Sequence, residues 1–324
     1  MKIPVGARAV GMGSAFTALV DDASALYWNP SGIARIDRTD LLASHNEWIA
    51  DTRASYVGLA QRLGFGQVIG ISYLTLYMDP LDRRNEQGIK TGTFQARDRA
   101  VAVSWATSMT SRLSLGVTAK QIVQTIDDAQ ARGSAIDAGV QIRPHRRVSL
   151  GASITNVGGP MKFVEKAYAL PTTLRAGLGY NLTQGLVLAL EGTREAGAVN
   201  SKTNFAAGVE YNMLSMSQSY FWSPVAWRLG YFSPNGPGVG LGLKIFGSNL
   251  DYALTPMGEL GLTHRVSLNL KFGKNRTRET WAPKQVSNSM GTKSGASATT
   301  SSGSPSENKK KEGKTGTIFD FLFR

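Results

Sequence analysis

The 324-residue sequence contains no cysteine, only three histidines and no apolar run near the 18 residues that a membrane-spanning helix needs. The absence of cysteine excludes disulfides, thiolate metal sites and thiol nucleophiles. His45, His145 and His264 fall in different predicted strands or turns, without the local spacing of a metal site or a catalytic triad. We therefore predict that the chain is not an enzyme and holds no metal and no cofactor.

Two further features that could carry chemistry have simpler explanations. Asp21 and Asp22 are adjacent, so their side chains point apart, and helix capping explains them better than acid–base catalysis. The alternating glycines of 236–242 lack the Lys-Ser/Thr pair and the following helix of a phosphate-binding loop. In a barrel, small inward residues would instead make room for whatever fills the interior.

What the sequence does contain is a two-residue apolar period that runs from residue 39 to residue 273. In the stretch 146–156, for example, Val148, Leu150, Ala152 and Ile154 alternate with small or polar residues. The period predicts about 14 strands, over 39–50, 54–64, 66–78, 95–107, 111–126, 133–143, 146–156, 172–182, 184–193, 201–213, 221–232, 237–247, 248–255 and 263–273.

Alternation alone does not distinguish a soluble β-sandwich, whose apolar face is internal, from a membrane barrel, whose apolar face meets lipid. Three observations favour the barrel. The strands are near ten residues long, the length of a tilted membrane crossing, and their number is even. Tyr and Trp also recur near strand ends, as in an interfacial girdle; these are Trp48, Tyr56, Tyr77, Trp105, Tyr180, Tyr211, Trp222, Tyr231 and Tyr252. The predicted fold is an all-β, 14-stranded antiparallel transmembrane β-barrel.

The last predicted strand alternates without interruption and ends on an aromatic residue. Val266, Leu268, Leu270 and Phe272 form its apolar row, which resembles the C-terminal signal by which outer-membrane barrels are recognised for assembly. The strand ends 52 residues before the end of the chain, so assembly would have to tolerate an appended tail.

The first 38 residues differ from everything that follows, because they are rich in small residues and lack the two-residue period. Residues 9–20 suit a short helix, and Asp21 or Asp22 could cap a second one over 23–28. Asn29 and Pro30 would then end it. We predict that residues 1–38 form a helical hatch, or plug, inside a barrel of residues 39–273.

The same segment resembles the opening of the PorV/PorQ family, outer-membrane proteins within the larger FadL-like group of 14-stranded barrels. The resemblance rests on Gly6–Ala9, Gly11–Gly13, Ala15–Ala18, Asp21–Ala25 and Tyr27–Gly32. The resemblance identifies a hatch or gate motif, which consists of Gly6, Arg8, Gly11, Gly13, Asp21, Asp22, Trp28, Asn29 and Pro30.

For function, the resemblance implies a non-enzymatic component of type IX protein secretion that binds and shuttles cargo. Its expected partners are outer-membrane lipid and secretion-machinery or cargo proteins. The alternative is a FadL-type channel for a hydrophobic small-molecule ligand. In that case Asn29 and Pro30 would form a gate beside a lateral opening, and Phe16, Tyr27 and Trp28 would line the route.

Residues 274–324 carry a net charge of +6 out of +13 and consist largely of Ser, Thr, Gly, Asn and Lys, so we predict a disordered tail. The apolar end of this tail could be a partner-docking peptide; its members are Ile318, Phe319, Phe321 and Phe323. No helical basic face accompanies the charge, so we expect no nucleic-acid partner.

The expected location is the cell outer membrane, with both termini in the periplasm because the strand number is even. Residues 1–5 are too short for a secretory signal peptide. We therefore expect a mature or truncated chain, or a start codon placed too late.

Overall fold

In the computed structural model, the described residues are 3–48, 51–163, 165–197, 201–213, 225–233, 236–245, 247–256 and 261–273. The chain begins with two one-turn helices, α1 (Ala7–Gly11) and α2 (Ala25–Trp28), and a 3-10 helix, Pro30–Arg35. No helix among these residues is long and apolar enough to cross a membrane. The predicted tail, with its proposed docking peptide, lies outside the described residues, as does Trp222.

Strands account for most of the rest of the described chain. They are β1 (Thr39–Glu47), β2 (Thr52–Gly64), β3 (Gln67–Met78), β4 (Leu81–Arg84), β5 (Lys90–Phe94), β6 (Ala96–Ser108), β7 (Leu113–Ile126), β8 (Ala129–His145), β9 (Val148–Gly158), β10 (Met161–Phe163), β11 (Lys166–Tyr168), β12 (Thr173–Asn181), β13 (Leu186–Glu195), β14 (Thr203–Asn212), β15 (Val225–Phe232), β16 (Gly236–Ile245), β17 (Ser248–Pro256) and β18 (Leu262–Phe272).

Within the described chain, fourteen of these strands form one closed antiparallel barrel, so the predicted fold class is confirmed. Each barrel strand pairs with its neighbours along the chain, and β1 closes the ring against β18, with Thr39 opposite Phe272. Closure leaves no free sheet edge. An open edge would expose unpaired backbone N–H and C=O groups to lipid. Two small hairpins, β4–β5 and β10–β11, stand outside this ring.

Side chains alternate between the two faces of the barrel wall, as the apolar period predicts. In β18, Val266 and Leu268 are on the outer face and exposed, whereas Arg265, Ser267 and Asn269 are buried on the inner face. Large exposed apolar residues recur on the outer face of strand after strand. Such a surface would be unfavourable in water and is typical of contact with lipid.

The two rims of the barrel differ in their connections. At the rim where β1 begins and β18 ends, here called the terminal rim, most connections have two to four residues. The opposite rim, here called the loop rim, carries the longer connections 79–95 and 159–172, which contain β4–β5 and β10–β11. These hairpins fall within the longest predicted connections.

Most of the described aromatic residues of the expected girdle lie on the outer face, but Tyr56 does not. Trp105, Tyr211 and Tyr231 are more than a third exposed near strand ends, and Tyr252 is also more than a third exposed but lies in the middle of β17. Tyr56 is buried on the inner face, where its hydroxyl donates to Ala23 O at 3.1 Å. The prediction for Tyr56 is wrong because a position near a strand end does not reveal which face a residue occupies.

Candidate functional site

Residues 3–38, here called the plug, lie inside the barrel. Phe16 and Trp28 are almost completely buried, with ring centroids 6.4 Å apart in an edge-on arrangement. They belong to one apolar cluster with inward side chains of β1, β2 and β3, including Leu42 and Val68. The interior on this side therefore has an apolar centre, although Asp40 and Asn46 of β1 and Arg62 of β2 are also buried on the inner face.

The plug backbone approaches the wall closely because glycines occupy the inner face of eight strands. A Cβ atom added at any of them would lie no more than 3.0 Å from a plug atom. They are Gly70, Gly116, Gly139, Gly151, Gly179, Gly208, Gly230 and Gly240. Gly116 lies opposite Gly139 and Gly208 opposite Gly230, so the small residues form continuous patches across neighbouring strands.

On the β14–β17 side, the plug is held by a buried charge network. Arg8 Nε lies 2.9 Å from Glu210 Oε2, and Arg8 Nη1 lies 2.9 Å from Asp21 Oδ1. Arg228 pairs with both Glu210 and Asp251, in each case at 2.7 Å. Burial disfavours the charged form of Arg8, but Glu210 and Asp21 outweigh it and raise the pKa of Arg8 well above its ordinary value. The network thus ties the plug to strands β14, β15 and β17.

A second anchor lies on β12 and β13. Glu191 Oε2 accepts hydrogen bonds from the backbone N–H groups of Phe16 and Thr17, at 2.9 and 2.8 Å. Arg175 Nη1 lies 3.6 Å from Glu191 Oε1, and the Arg175 guanidinium covers the Trp28 ring at 4.7 Å. Because Glu191 uses plug backbone donors, this anchor depends on the path of the plug chain rather than on a particular plug side chain.

The turn of the hatch motif is fixed by Asn29. Its Nδ2 donates to Thr17 O and Val140 O, and its Oδ1 accepts from the N–H and hydroxyl of Ser31. Asn29 is the N-cap of the 3-10 helix that begins at Pro30. The chain therefore changes direction here and continues as the 3-10 helix, whereas the sequence predicted only that the helix over 23–28 ends at Asn29 and Pro30.

The remaining hatch residues also have structural roles in the plug. Gly6 has φ 83° and precedes α1, and Trp28 Nε1 donates to Val5 O. Asp22 Oδ1 accepts from Ser24 N at 2.8 Å, but the N-cap of α2 is Ser24 rather than Asp21 or Asp22. The predicted helix over 9–20 is replaced by the single turn α1 and successive turns.

Between the plug and the loop rim lies a cavity of about 350 Å³, here called the vestibule. Leu26 and Tyr27 of the plug form part of its wall. Leu74, Ala100 and Ile122 supply apolar surface on the β3–β7 side. Its polar lining comes mainly from β7, β9 and β12–β14, namely Lys120, Thr155, Asn156, Thr173, Arg175, Thr193, Glu195 and Asn204. The size is within the usual range for small-molecule sites.

Of the residues expected to line a route, only Tyr27 borders the vestibule. Phe16 and Trp28 are buried in the plug core and do not line it. Burial of the Tyr27 side chain raises the pKa of its hydroxyl.

The wall beside the vestibule is interrupted by a β-bulge between β8 and β9. The ladder passes from Ile136↔Val157 to Ala138↔Ile154, so Asp137 faces two residues of β9. Asn156, at φ 61°, donates its N–H to Asp137 Oδ1 at 2.6 Å. Bulges of this kind bend a strand and redirect its side chains.

An open depression on the outer face lies next to this bulge. It is lined by Ala138, Ala152, Ile154 and Ala176, and also by Arg175, which borders the vestibule as well. The barrel wall is therefore thin at Arg175. No sequence pattern singled out this position, because a bulge adds one residue without altering composition.

The other residues with expected roles do not converge on the vestibule. Val266, Leu268, Leu270 and Phe272 follow the outer face of β18, and their role in assembly stays a prediction.

His45 contacts Ser55 and His264 contacts Tyr252, both on exposed surface. Among the described residues, no group of three His, Asp or Glu side chains is arranged to hold a metal ion.

Comparison with known proteins agrees with this architecture. Residues 1–102, the plug with the first barrel strands, match the model of an uncharacterised protein family (UPF0164). No curated protein sequence matches the chain significantly.

Solved structures share its fold. The Pseudomonas putida toluene transporter TodX has a TM-score of 0.61 and 11% identity, over 83% of this chain and 99% of TodX. A Pseudomonas aeruginosa FadL homologue has a TM-score of 0.58 and 10% identity, over 84% and 99%. The monoaromatic hydrocarbon channel CymD has a TM-score of 0.58 and 11% identity, over 84% and 98%.

The chain thus has the fold of FadL-like barrels. Membership of the PorV/PorQ branch within that group stays a prediction. The structures it resembles are a transporter and channels, and at this identity they inform the fold alone.

Proposed function

We propose that the chain is an outer-membrane channel for hydrophobic small molecules, with its termini on the periplasmic side. The observation that carries the proposal is the vestibule, a cavity closed by the plug that shares the lining residue Arg175 with a depression on the outer face. The outward apolar surface supports a location in lipid. The short connections at the terminal rim resemble the short periplasmic turns of such barrels.

The surroundings of Arg175 suggest how a ligand would leave the vestibule. An apolar molecule entering from the loop rim would meet Leu74, Ala100 and Ile122 and then be stopped by the plug. The ladder between β9 and β12 is continuous beside the depression around Ala152, so a sideways exit would need these strands to separate locally while Arg175 moves off the Trp28 ring. The ligand would then pass sideways into lipid, while the plug is held by the charge network of Arg8 and Glu210.

The proposal is tested by uptake of radiolabelled toluene into cells that lack their own hydrocarbon channels. We expect the expressed chain to accelerate uptake. Ala102→Trp places a large side chain in the vestibule from the inner face of β6 and should abolish this acceleration. Ala43→Trp makes the same volume change on the exposed face of β1 and should leave uptake unchanged. Wild-type and variant barrels are compared at matched levels in the membrane. Equal uptake with and without the wild-type chain would contradict the channel.

Type IX secretion is the second candidate, and the motif in residues 6–32 is what favours it. Each hatch residue, however, has a packing or hydrogen-bonding role in closing the barrel, which a channel needs equally. Deletion in the parent bacterium separates the two functions. Loss of surface-attached or secreted proteins supports secretion, and loss of growth on hydrocarbons supports the channel.

A further inference from the structure

Arg265 differs from Arg228 and Arg175, two other arginines of the interior. Arg228 pairs with Glu210 and Asp251, and Arg175 lies beside Glu191. Arg265 is only 4% exposed, yet within the described part of the chain no carboxylate pairs with it and its Nε has no hydrogen-bond partner. A buried charge without a counter-charge is costly, so a partner is expected from outside the described protein atoms.

Two neighbours of Arg265 have the same deficiency. Asn46 lies directly opposite it on β1 and is 3% exposed, and neither its Oδ1 nor its Nδ2 has a partner. Thr255, on β17, has an unpartnered Oγ1. Buried polar groups are nearly always hydrogen-bonded, so the unpartnered atoms of Arg265 and Thr255, which line the same cavity, indicate a shared ligand.

The space for this ligand is a cavity of about 40 Å³. Arg265 and Thr255 line it on the barrel side, together with Trp48, and Pro4, Val10 and Ser14 line it on the plug side. One water needs about 10–15 Å³ of such volume, so the cavity holds a few waters or one small ion. It is too small for a phosphate ester or a sugar.

The chemistry of the lining selects an anion. The guanidinium and the Thr255 hydroxyl both line the cavity and can both donate, and the guanidinium carries a positive charge. Water would satisfy the donors but would leave the charge uncompensated. We propose that Arg265 and Thr255 bind one small monovalent anion, either a halide or a single carboxylate group, between the plug and strands β17 and β18.

Such an anion would stabilise the folded barrel, since it would bind there and not to the unfolded chain. The test is thermal unfolding of the detergent-solubilised full chain in chloride, formate or gluconate at equal ionic strength. Gluconate controls for screening because it is too large for the cavity. We expect a higher unfolding midpoint in chloride or formate than in gluconate. A response to chloride identifies a halide site, and a response to formate identifies a carboxylate site.

Variants then locate the effect. Arg265→Gln should remove the difference between the anions, whereas Arg53→Gln removes an exposed arginine paired with Asp79 and should keep it. If Arg265→Gln does not fold, Thr255→Val should weaken the anion response, because it removes only one donor. Crystals grown in bromide should show anomalous density beside the Arg265 guanidinium and none at Arg228.

The proposal is overturned if wild-type midpoints are equal in chloride, formate and gluconate. It is equally overturned if Arg265→Gln keeps the full anion response, or if a barrel that responds to chloride shows no bromide density at Arg265. None of these outcomes depends on transport, so the site can fail while the channel stands.

Discussion

At the scale of single residues, Gly13 shows most clearly why the N-terminal motif has its composition. Its φ is 64°, a conformation that side chains disfavour, and an added Cβ would lie 2.5 Å from Tyr231 N. Gly11 is restricted by close approach alone, because a Cβ atom added to it would lie 2.9 Å from Gly240 Cα. Gly11 and Gly13 are therefore explained by close contact between two backbones, whereas Gly6 is explained by its φ of 83°.

Gly13→Ala should consequently destabilise the barrel more than a matched change elsewhere. Gly88 has φ 75° with nothing near its added Cβ, so Gly88→Ala isolates the conformational cost, roughly 1–2 kcal/mol. Gly13→Ala adds a steric overlap that costs about 1–3 kcal/mol more. Urea unfolding in detergent micelles measures both, and equal losses would show that the plug does not press on β15.

The residue scale is also where sequence reasoning has its limits. The importance of Asn29 could be inferred from the motif, but its bonds to Thr17 and Val140 could not, because they join segments far apart in sequence. Tyr56 was assigned to the wrong face because aromatic residues suit both a lipid interface and a packed interior. That no carboxylate of the described residues lies beside Arg265 could not be inferred either, because folding decides which side chains meet.

At the scale of elements, the plug is bound to the barrel by charges as well as by apolar packing. Glu210 is the central member of the network, since it pairs with Arg8 of the plug and Arg228 of β15. Removing its charge would leave two buried cations with one fewer counter-charge between them.

We expect Glu210→Gln to lower stability by roughly 3–5 kcal/mol, the usual effect of breaking a buried pair. It should also increase single-channel openings in planar bilayers, because the plug loses its link to β14. Asp79→Asn breaks the exposed pair with Arg53 and should change neither quantity appreciably. A closed and equally stable Glu210→Gln barrel would show that packing alone retains the plug.

The strands themselves were largely predictable. Fourteen apolar periods correspond to fourteen barrel strands, and the bounds differ by a few residues. The alternation is reliable because each strand has one face toward the outside and one toward the plug. The Asn156 bulge was not predictable, since its register shift depends on the hydrogen bond to Asp137 of the neighbouring strand.

At the scale of the whole molecule, the barrel is apolar outside and closely filled inside. Bands of exposed aromatic residues lie near both rims, with Tyr211 directly opposite Trp227 near the terminal rim and Phe205 and Tyr231 near the loop rim. This arrangement matches a membrane barrel rather than a soluble sheet protein, whose apolar residues would face inward.

The purified chain should therefore require detergent to stay in solution. On a denaturing gel, an unboiled sample should migrate differently from a boiled one, because the closed barrel resists detergent until it is heated. Identical migration, or a chain that stays dispersed in plain buffer, would contradict the lipid-facing assignment of the outer residues.

The plug contacts both strands of the seam at which the ring closes. Ala7 N donates to Ser267 Oγ of β18 at 2.7 Å, and Ala23 N donates to Asp40 Oδ1 of β1 at 3.0 Å. The glycines bring the plug into direct contact with the wall, so the plug could not enter a ring that had already closed. The N-terminal segment therefore has to be in place before β1 pairs with β18. The plug thus acts as a template around which the ring of strands closes.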